Sequence, residues 1–357
     1  GSFLRPKEIH EAREANVKGK MSDAELRKVE DVHIKQVVQE QEAAGLKGVS
    51  DGEFRREYFH LDFLKHVGGV TVTKNKLVGE KAEAAPPQLT VTSKLEHIAP
   101  IQVEDYLYVK SCLTAPDSVV KVAIPSPTMV HFRGGRAAID ISTYANLDLF
   151  FEDLAEVYRA EIAALAAAGC TFIQLDDTNL AYLCSEEMRA GAVERGEDIQ
   201  ALPRQYAALI NASLRDKPAN MTVAIHLCRG NFRSRSFSSG GYEPVAEVLL
   251  KELDVDMYLL EYDDSRSGGF EPLRHLPKGH KVVTLGLVST KTGVLENKAD
   301  VIARIREAAK FAPLEQLSVG PQCGFASTVH GNELTKEEQW AKIKLCQEIV
   351  EEVWGKQ

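Results

Sequence analysis

The stretch MTVAIHLCRGNFRSRSF, Met221–Phe237, decides how the chain folds. Met221 to Ile225 are apolar or β-branched, the composition of a strand covered on both faces. His226 and Cys228 follow with one leucine between them, and the chain then turns abruptly polar, basic and rich in small residues. A covered strand that ends in two soft metal ligands and a loop belongs to a parallel sheet that carries its chemistry at the carboxyl ends of its strands.

The same rhythm recurs outward from this stretch. VVKVAIPSP (119–127), CTFIQLDD (170–177), DMYLLEYD (256–263), KVVTLGLVS (281–289) and LSVGPQCGF (317–325) are short β-branched runs separated by longer amphipathic segments. GLKGVSDGEF (45–54) reads the same way, and GSF (1–3) reads as the tail of one more strand. Among the helices, Phe151–Ala168 places Leu154, Tyr158, Ile162 and Leu165 on one face. The last helix opens on Thr335 and Glu338 at capping-box spacing and turns Trp340, Ile343, Cys346 and Val350 inward. This alternation predicts an α/β fold, a (β/α)8 TIM barrel. An open doubly wound sheet would carry a glycine-rich phosphate loop after its first strand, and neither GxGxxG nor GxxxxGK[ST] occurs.

Residues 62–115 break the rhythm. GGVTVTKNKLVGEKAEAAPPQLTVTSKLE holds two Thr/Val-rich runs around a polar, proline-rich middle, which predicts a β-hairpin inserted after strand two, over the barrel mouth or as a contact surface. Residues 1–357 are read as one barrel domain with this insertion.

The 357 residues are 44% hydrophobic, enough for a sizeable core, and the formal net charge of −9 argues against nucleic acid as a partner. No apolar run approaches the ~18 residues of a membrane span. Six cysteines spread through so long a chain do not suggest a disulfide framework. The expectation is a cytoplasmic protein with small-molecule partners, open to homo-oligomer formation, with neither nucleic acid nor membrane as partner.

In a barrel of this type the strand ends converge on one mouth. They bring Asp51 and Glu53 after strand two, Asp176 and Asp177 after strand four, His226 and Cys228 after strand five, Glu261 after strand six and Cys323 after strand eight. His226 and Cys228 are two apart and project to the same side of an extended strand. With a carboxylate and a second thiolate from neighbouring strands they form a donor set able to close tetrahedrally on Zn2+. Cys112, Cys170, Cys184 and Cys346 read as small buried hydrophobes, and His330 as a surface residue. Arg229, Arg233 and Arg235 are read either as contacts for a substrate carboxylate or anionic donor, or as a solvated basic loop.

GSFLRP, VSDGEFRRE, FIQLDD, HLCRGNF, LLEYD and VGPQCGF, in this order, resemble the catalytic barrel of the cobalamin-independent methionine synthase family, which shares its fold with uroporphyrinogen decarboxylase. The resemblance implies that His226, Cys228, Glu261 and Cys323 are zinc ligands and that Ser2, Glu53 and Asp176 hold the amino and carboxylate groups of homocysteine. It departs from the long family members in three ways. They have a second barrel. They place a histidine at the end of strand seven, where this chain has Ser289 and Thr290. They also carry a tryptophan-bearing folate segment that IPSPTMVHFRGG (124–135) lacks.

The function so implied is a zinc-dependent methyltransferase that moves a methyl group from 5-methyltetrahydrofolate, or a related donor, to homocysteine, forming methionine. Glu261 and Asp176 are the candidate catalytic groups, Glu261 as a ligand displaced or lengthened when the substrate sulfur binds. The alternatives are a zinc-dependent alkyltransferase acting on another small thiol, with an epoxide or corrinoid methyl as electrophile, a metal-free decarboxylase on the same barrel, and a binding protein with a structural zinc site.

Overall fold

The computed structural model describes residues 1–73, 87–231, 233–235 and 237–355. Six parallel strands form its centre: β5 (Val122–Pro125), β6 (Phe172–Asp177), β7 (Thr222–Leu227), β8 (Met257–Glu261), β9 (Val282–Val288) and β10 (Leu317–Pro321), hydrogen-bonded in chain order. β4 (Val119–Val120) leads through Lys121 into β5 and pairs in parallel with β1 (Gly48–Val49), which extends the sheet by one strand. Residues 1–3 do not adopt strand geometry, contrary to the expectation for GSF. Their backbone nevertheless spans the gap. The Phe3 N–H donates to the Gly52 carbonyl (3.1 Å), and the Phe325 N–H donates to the Ser2 carbonyl (2.8 Å), so the segment joins the ends of β1 and β10 and closes the TIM barrel.

Helices cover the outside: α1 (Lys7–Val17), α2 (Asp23–Ala43), α3 (Val103–Cys112), α4 (Leu147–Ala167), α5 (Leu202–Leu214), α6 (Lys298–Ala308) and α7 (Lys336–Trp354) are the longer ones. α4 begins four residues before the expected start because the Asn146 side chain accepts the Asp148 N–H at 2.8 Å, a cap that hydrophobic spacing does not register. Leu154, Tyr158, Ile162 and Leu165 are all buried, each apolar side chain contributing roughly 1.5–3 kcal/mol by leaving water. The capping box of Thr335 and Glu338 forms, with Ile343 and Cys346 buried and Trp340 and Val350 half-buried. Between β8 and β9 there are only 3-10 turns, Ser265–Ser267 and Glu271–His275, where Gly268, Gly269 and Pro272 oppose a longer helix.

The inserted hairpin pairs β2 (Gly68–Thr73) antiparallel with β3 (Gln88–Glu96), with Val70 opposite Val91. Its proline-rich middle, 74–86, lies outside the described residues. β3 packs on α4, and none of the hairpin's described residues lines the cavity at the barrel mouth.

Candidate active site

Strand register gathers the site. In the β6–β7 pair Asp176 stands opposite His226, in the β7–β8 pair His226 stands opposite Leu259, and Glu261 at the end of β8 faces Gly286 of β9. His226, Cys228, Glu261 and Cys323 thereby bring one donor atom each to within 4.8 Å of one another. The Cys228 and Cys323 sulfurs are 3.6 Å apart. The His226 Nδ1 lies 3.1 Å from the Leu259 carbonyl, which places an N–H at Nδ1 and turns the buried Nε2 toward the Cys323 sulfur. Two sulfurs, an imidazole nitrogen and a carboxylate in one largely buried cluster fit a four-coordinate, thiophilic divalent ion such as zinc.

The electrostatics of the cluster fit that reading. Burial alone would lower His226, but the adjoining Cys323 sulfur, with Asp176 and Glu261, carries its pKa up to about 9. The hydrogen bond with Cys228 holds Cys323 well below the ordinary thiol range, against its burial and with help from His226. That same bond, together with burial, pushes Cys228 well up. Protons are thus shared among groups that a divalent cation would hold fully deprotonated.

Glu261 is wholly buried at the rear of the cluster. His226, Cys228 and Cys323 line the cavity, whereas Glu261 does not. The Arg229 N–H donates to its Oε1 (2.9 Å), and Arg266 Nη2 (3.2 Å) and Lys291 Nζ (3.9 Å) face its Oε2. Burial raises the Glu261 carboxyl and the Cys323 charge adds to that, while Lys291 and His226 oppose it.

The other expected carboxylates sit on the cavity side. Gly52 (φ 65°) and Glu53 (φ 60°) are consecutive left-handed residues, an uncommon conformation for a glutamate. Asp51 Oδ1 accepts the Glu53 N–H (2.9 Å), and Arg5 Nη2 donates to its carbonyl (2.7 Å), which holds the turn. Glu53 Oε2 is buried with no hydrogen-bond partner among the described residues, and burial, opposed by Arg56, raises its carboxyl. Asp176 Oδ1 accepts a 2.6 Å bond from Gln174. Ser2 Oγ accepts the Ala326 N–H (3.2 Å), and a Cβ at Gly324 would overlap that oxygen, so glycine is required there.

Three further polar residues named from the sequence find their places here. Asp177 caps the following turn, accepting the Asn179 and Leu180 N–H groups at 2.8 Å each. Arg229 does not reach the cavity: it is wholly buried, its guanidinium 4.3 Å from the centre of the Tyr242 ring, and only its backbone serves the site. Exposed His330 meets Arg233 at 3.1 Å.

The cavity, of about 900 Å³, also draws on residues that the sequence reading missed: Tyr58, Phe59, His60, Phe132, Arg133 and Tyr182. They belong to the loops after β1, β5 and β6, beyond the strand ends, where no periodicity points at them. Burial, with Arg133 nearby, keeps the His60 imidazole neutral.

Comparison with known proteins agrees with this architecture. The profile described as cobalamin-independent synthase, catalytic domain, matches residues 1–345. The chain is 40% identical over 356 residues to the uncharacterized protein YxjH of Bacillus subtilis, covering 99% of this chain and 93% of that one. It is 26% identical over 326 residues to a methionine synthase of Sulfurisphaera tokodaii, covering 91% and 84%. A crystal structure of the putative vitamin-B12-independent methionine synthase of Listeria monocytogenes matches with a TM-score of 0.81 at 37% identity, over 100% of this chain and 96% of that one. Through a profile that runs along nearly its whole length, the chain belongs to the cobalamin-independent methionine synthase family.

Proposed function

We propose that the protein is a zinc-dependent S-methyltransferase that converts homocysteine to methionine, with a methyl-folate or a related methyl donor. The observation that carries this reading is the His226, Cys228, Glu261 and Cys323 cluster, three of whose members open onto a cavity shared with Glu53 and Asp176. A purely structural metal site gains nothing from such an opening. A metal-free decarboxylase gives no reason for a pair of sulfurs 3.6 Å apart.

In this reading His226, Cys228, Glu261 and Cys323 hold zinc, which when bound supplies Lewis acidity that makes a substrate thiol a thiolate near neutral pH. Glu53 and Asp176 receive the substrate ammonium, and the partnerless Glu53 Oε2 is the acceptor that an ammonium N–H would satisfy. Ser2, at the seam between the first residues and the β10 loop, keeps its hydroxyl proton for the substrate carboxylate. With a methyl-folate as donor, a carbon–sulfur bond forms as its nitrogen–methyl bond breaks, the thiol proton having left, and the donor nitrogen ends protonated.

The test is methionine formation by the purified protein from homocysteine, comparing mono- and polyglutamyl methyl-folate with methylcobalamin. Methionine from any of these donors supports the reading and identifies the donor. No methionine from any of them, together with alkylation of a different small thiol, replaces it with the general thiol alkyltransferase.

A further inference from the structure

Glu261 is claimed from two sides. On one lie the donors of His226, Cys228 and Cys323; on the other lie two cations, the half-buried Arg266 and the buried Lys291. Lys291 Nζ is buried and makes no hydrogen bond among the described residues, yet it stands 3.9 Å from both Glu261 Oε2 and Asp263 Oδ2. That is about 1 Å beyond hydrogen-bond length to either carboxylate. Arg266 Nη2 bridges the same two acids, at 3.2 Å to Glu261 and 2.7 Å to Asp263.

The loop that presents Lys291 is pinned. The Ser289 N–H donates to Glu296 Oε1 (2.8 Å), Thr290 donates through its N–H and Oγ1 to Gln322 Oε1 (2.8 Å each), and Asn332 Nδ2 donates to the Thr290 carbonyl (2.8 Å). The buried Lys342 ammonium in turn holds Glu296, at 3.1 and 3.0 Å from its two oxygens. Lys291 cannot easily retreat to solvent, so its charge stays beside Glu261.

We propose that Lys291, with Arg266, is a positioning residue that competes with the metal for the Glu261 carboxylate. This rests on the zinc-thiol reading above. The two cations draw electron density and the carboxylate itself away from the sulfur side. They also offset the negative charge that an incoming thiolate adds to a site already holding two thiolates and a carboxylate. A small swing of Glu261 toward Lys291 completes the missing hydrogen bond as its place beside the sulfurs is taken.

The test measures zinc affinity of the full chain by competition with a chromophoric chelator, and counts sulfur and oxygen neighbours of zinc by X-ray absorption with and without homocysteine. Lys291→Met is expected to tighten zinc on the order of tenfold and to retain the oxygen neighbour when homocysteine is added; Lys291→Arg should behave as wild type. Asp263→Asn removes the anion that shares the two cations, so it should loosen zinc, the opposite sign. A folded Lys291→Met protein with unchanged or weaker zinc binding overturns the proposal. Should that variant fail to fold, unchanged or tighter binding in Asp263→Asn overturns it equally. If wild type binds zinc but homocysteine leaves the metal's neighbours unaltered, the homocysteine reading fails, and the variants' zinc affinities still decide the role of Lys291.

Discussion

The sulfurs of Cys228 and Cys323 lie 3.6 Å apart although 95 positions separate them in the chain. One follows β7 and the other β10, with β8 and β9 between them in the sheet, so the curvature of the barrel brings them together. Two thiols at this distance, one buried and one half-buried, with an imidazole beside them, are the strongest reason to expect a bound metal. Wild-type protein purified without chelators should carry about one zinc per chain, and Cys323→Ser should lose most of it while remaining folded. Elemental analysis with circular dichroism checks both; metal-free wild-type protein would sink the zinc reading.

Glu53 and Asp176 make a separate prediction, because they touch the substrate's amino group in the proposed function and not its sulfur. Glu53→Gln and Asp176→Asn should raise the homocysteine KM on the order of tenfold to a hundredfold, the loss of a charge-assisted hydrogen bond, with kcat less affected. Zinc content should stay at the wild-type level. Steady-state kinetics with homocysteine varied gives the split, and a fall in kcat alone at unchanged KM contradicts the ammonium-binding role.

Much of this arrangement is legible in the sequence, for a physical reason. The period of two along β7 puts His226 and Cys228 on one side, and the parallel-barrel rule sends Glu261 and Cys323 to the same end. Loops obey no such period. His60, Arg133 and Lys291 reach the site or its rear wall through turns whose course depends on tertiary hydrogen bonds, such as those from Thr290 to Gln322. Arg229 misleads in the other direction: a basic run reads as a solvated loop, but the first of its arginines is folded under Tyr242. The N-terminal strand tail was readable as a location and not as a conformation, since its two backbone bonds run to a turn and a loop instead of to strand partners.

His131 provides a pH test outside the metal cluster. Its side chain is 2% exposed, shares a 3.0 Å hydrogen bond with Tyr206, and has Arg195 and Arg136 nearby, with Glu197 Oε1 3.7 Å from its Nε2. Burial, then those two arginines, lowers its pKa from 6.5 to about 4. Above pH 6.5 the imidazole is neutral in both folded and unfolded chains. As the pH falls from 6.5 toward 4 only the unfolded chain takes the proton, so this residue removes stability by about 1.4 kcal/mol per pH unit, to a total of about 3 kcal/mol. His131→Asn cannot titrate, and urea unfolding between pH 7.5 and 4.5 should show a shallower loss than wild type. Parallel pH profiles would refute the assignment.

Glu161 tests what fastens the inserted hairpin to the barrel. This carboxylate on α4 is wholly buried and takes a 2.7 Å bond from His97 Nε2, 2.9 Å from the Ile101 N–H and 2.8 Å from the Gln102 N–H. It therefore clamps the link between β3 and α3 at three points. Glu161→Ala leaves three donors without their acceptor in a space too closed for easy solvation, so unfolding free energy should fall by about 3 kcal/mol. Because the broken contacts sit at residues 97–102, limited proteolysis of the variant should cut in that link before the barrel opens. A urea midpoint equal to wild type, with no new cut there, would mean that packing of β3 on α4 holds the hairpin without the buried carboxylate.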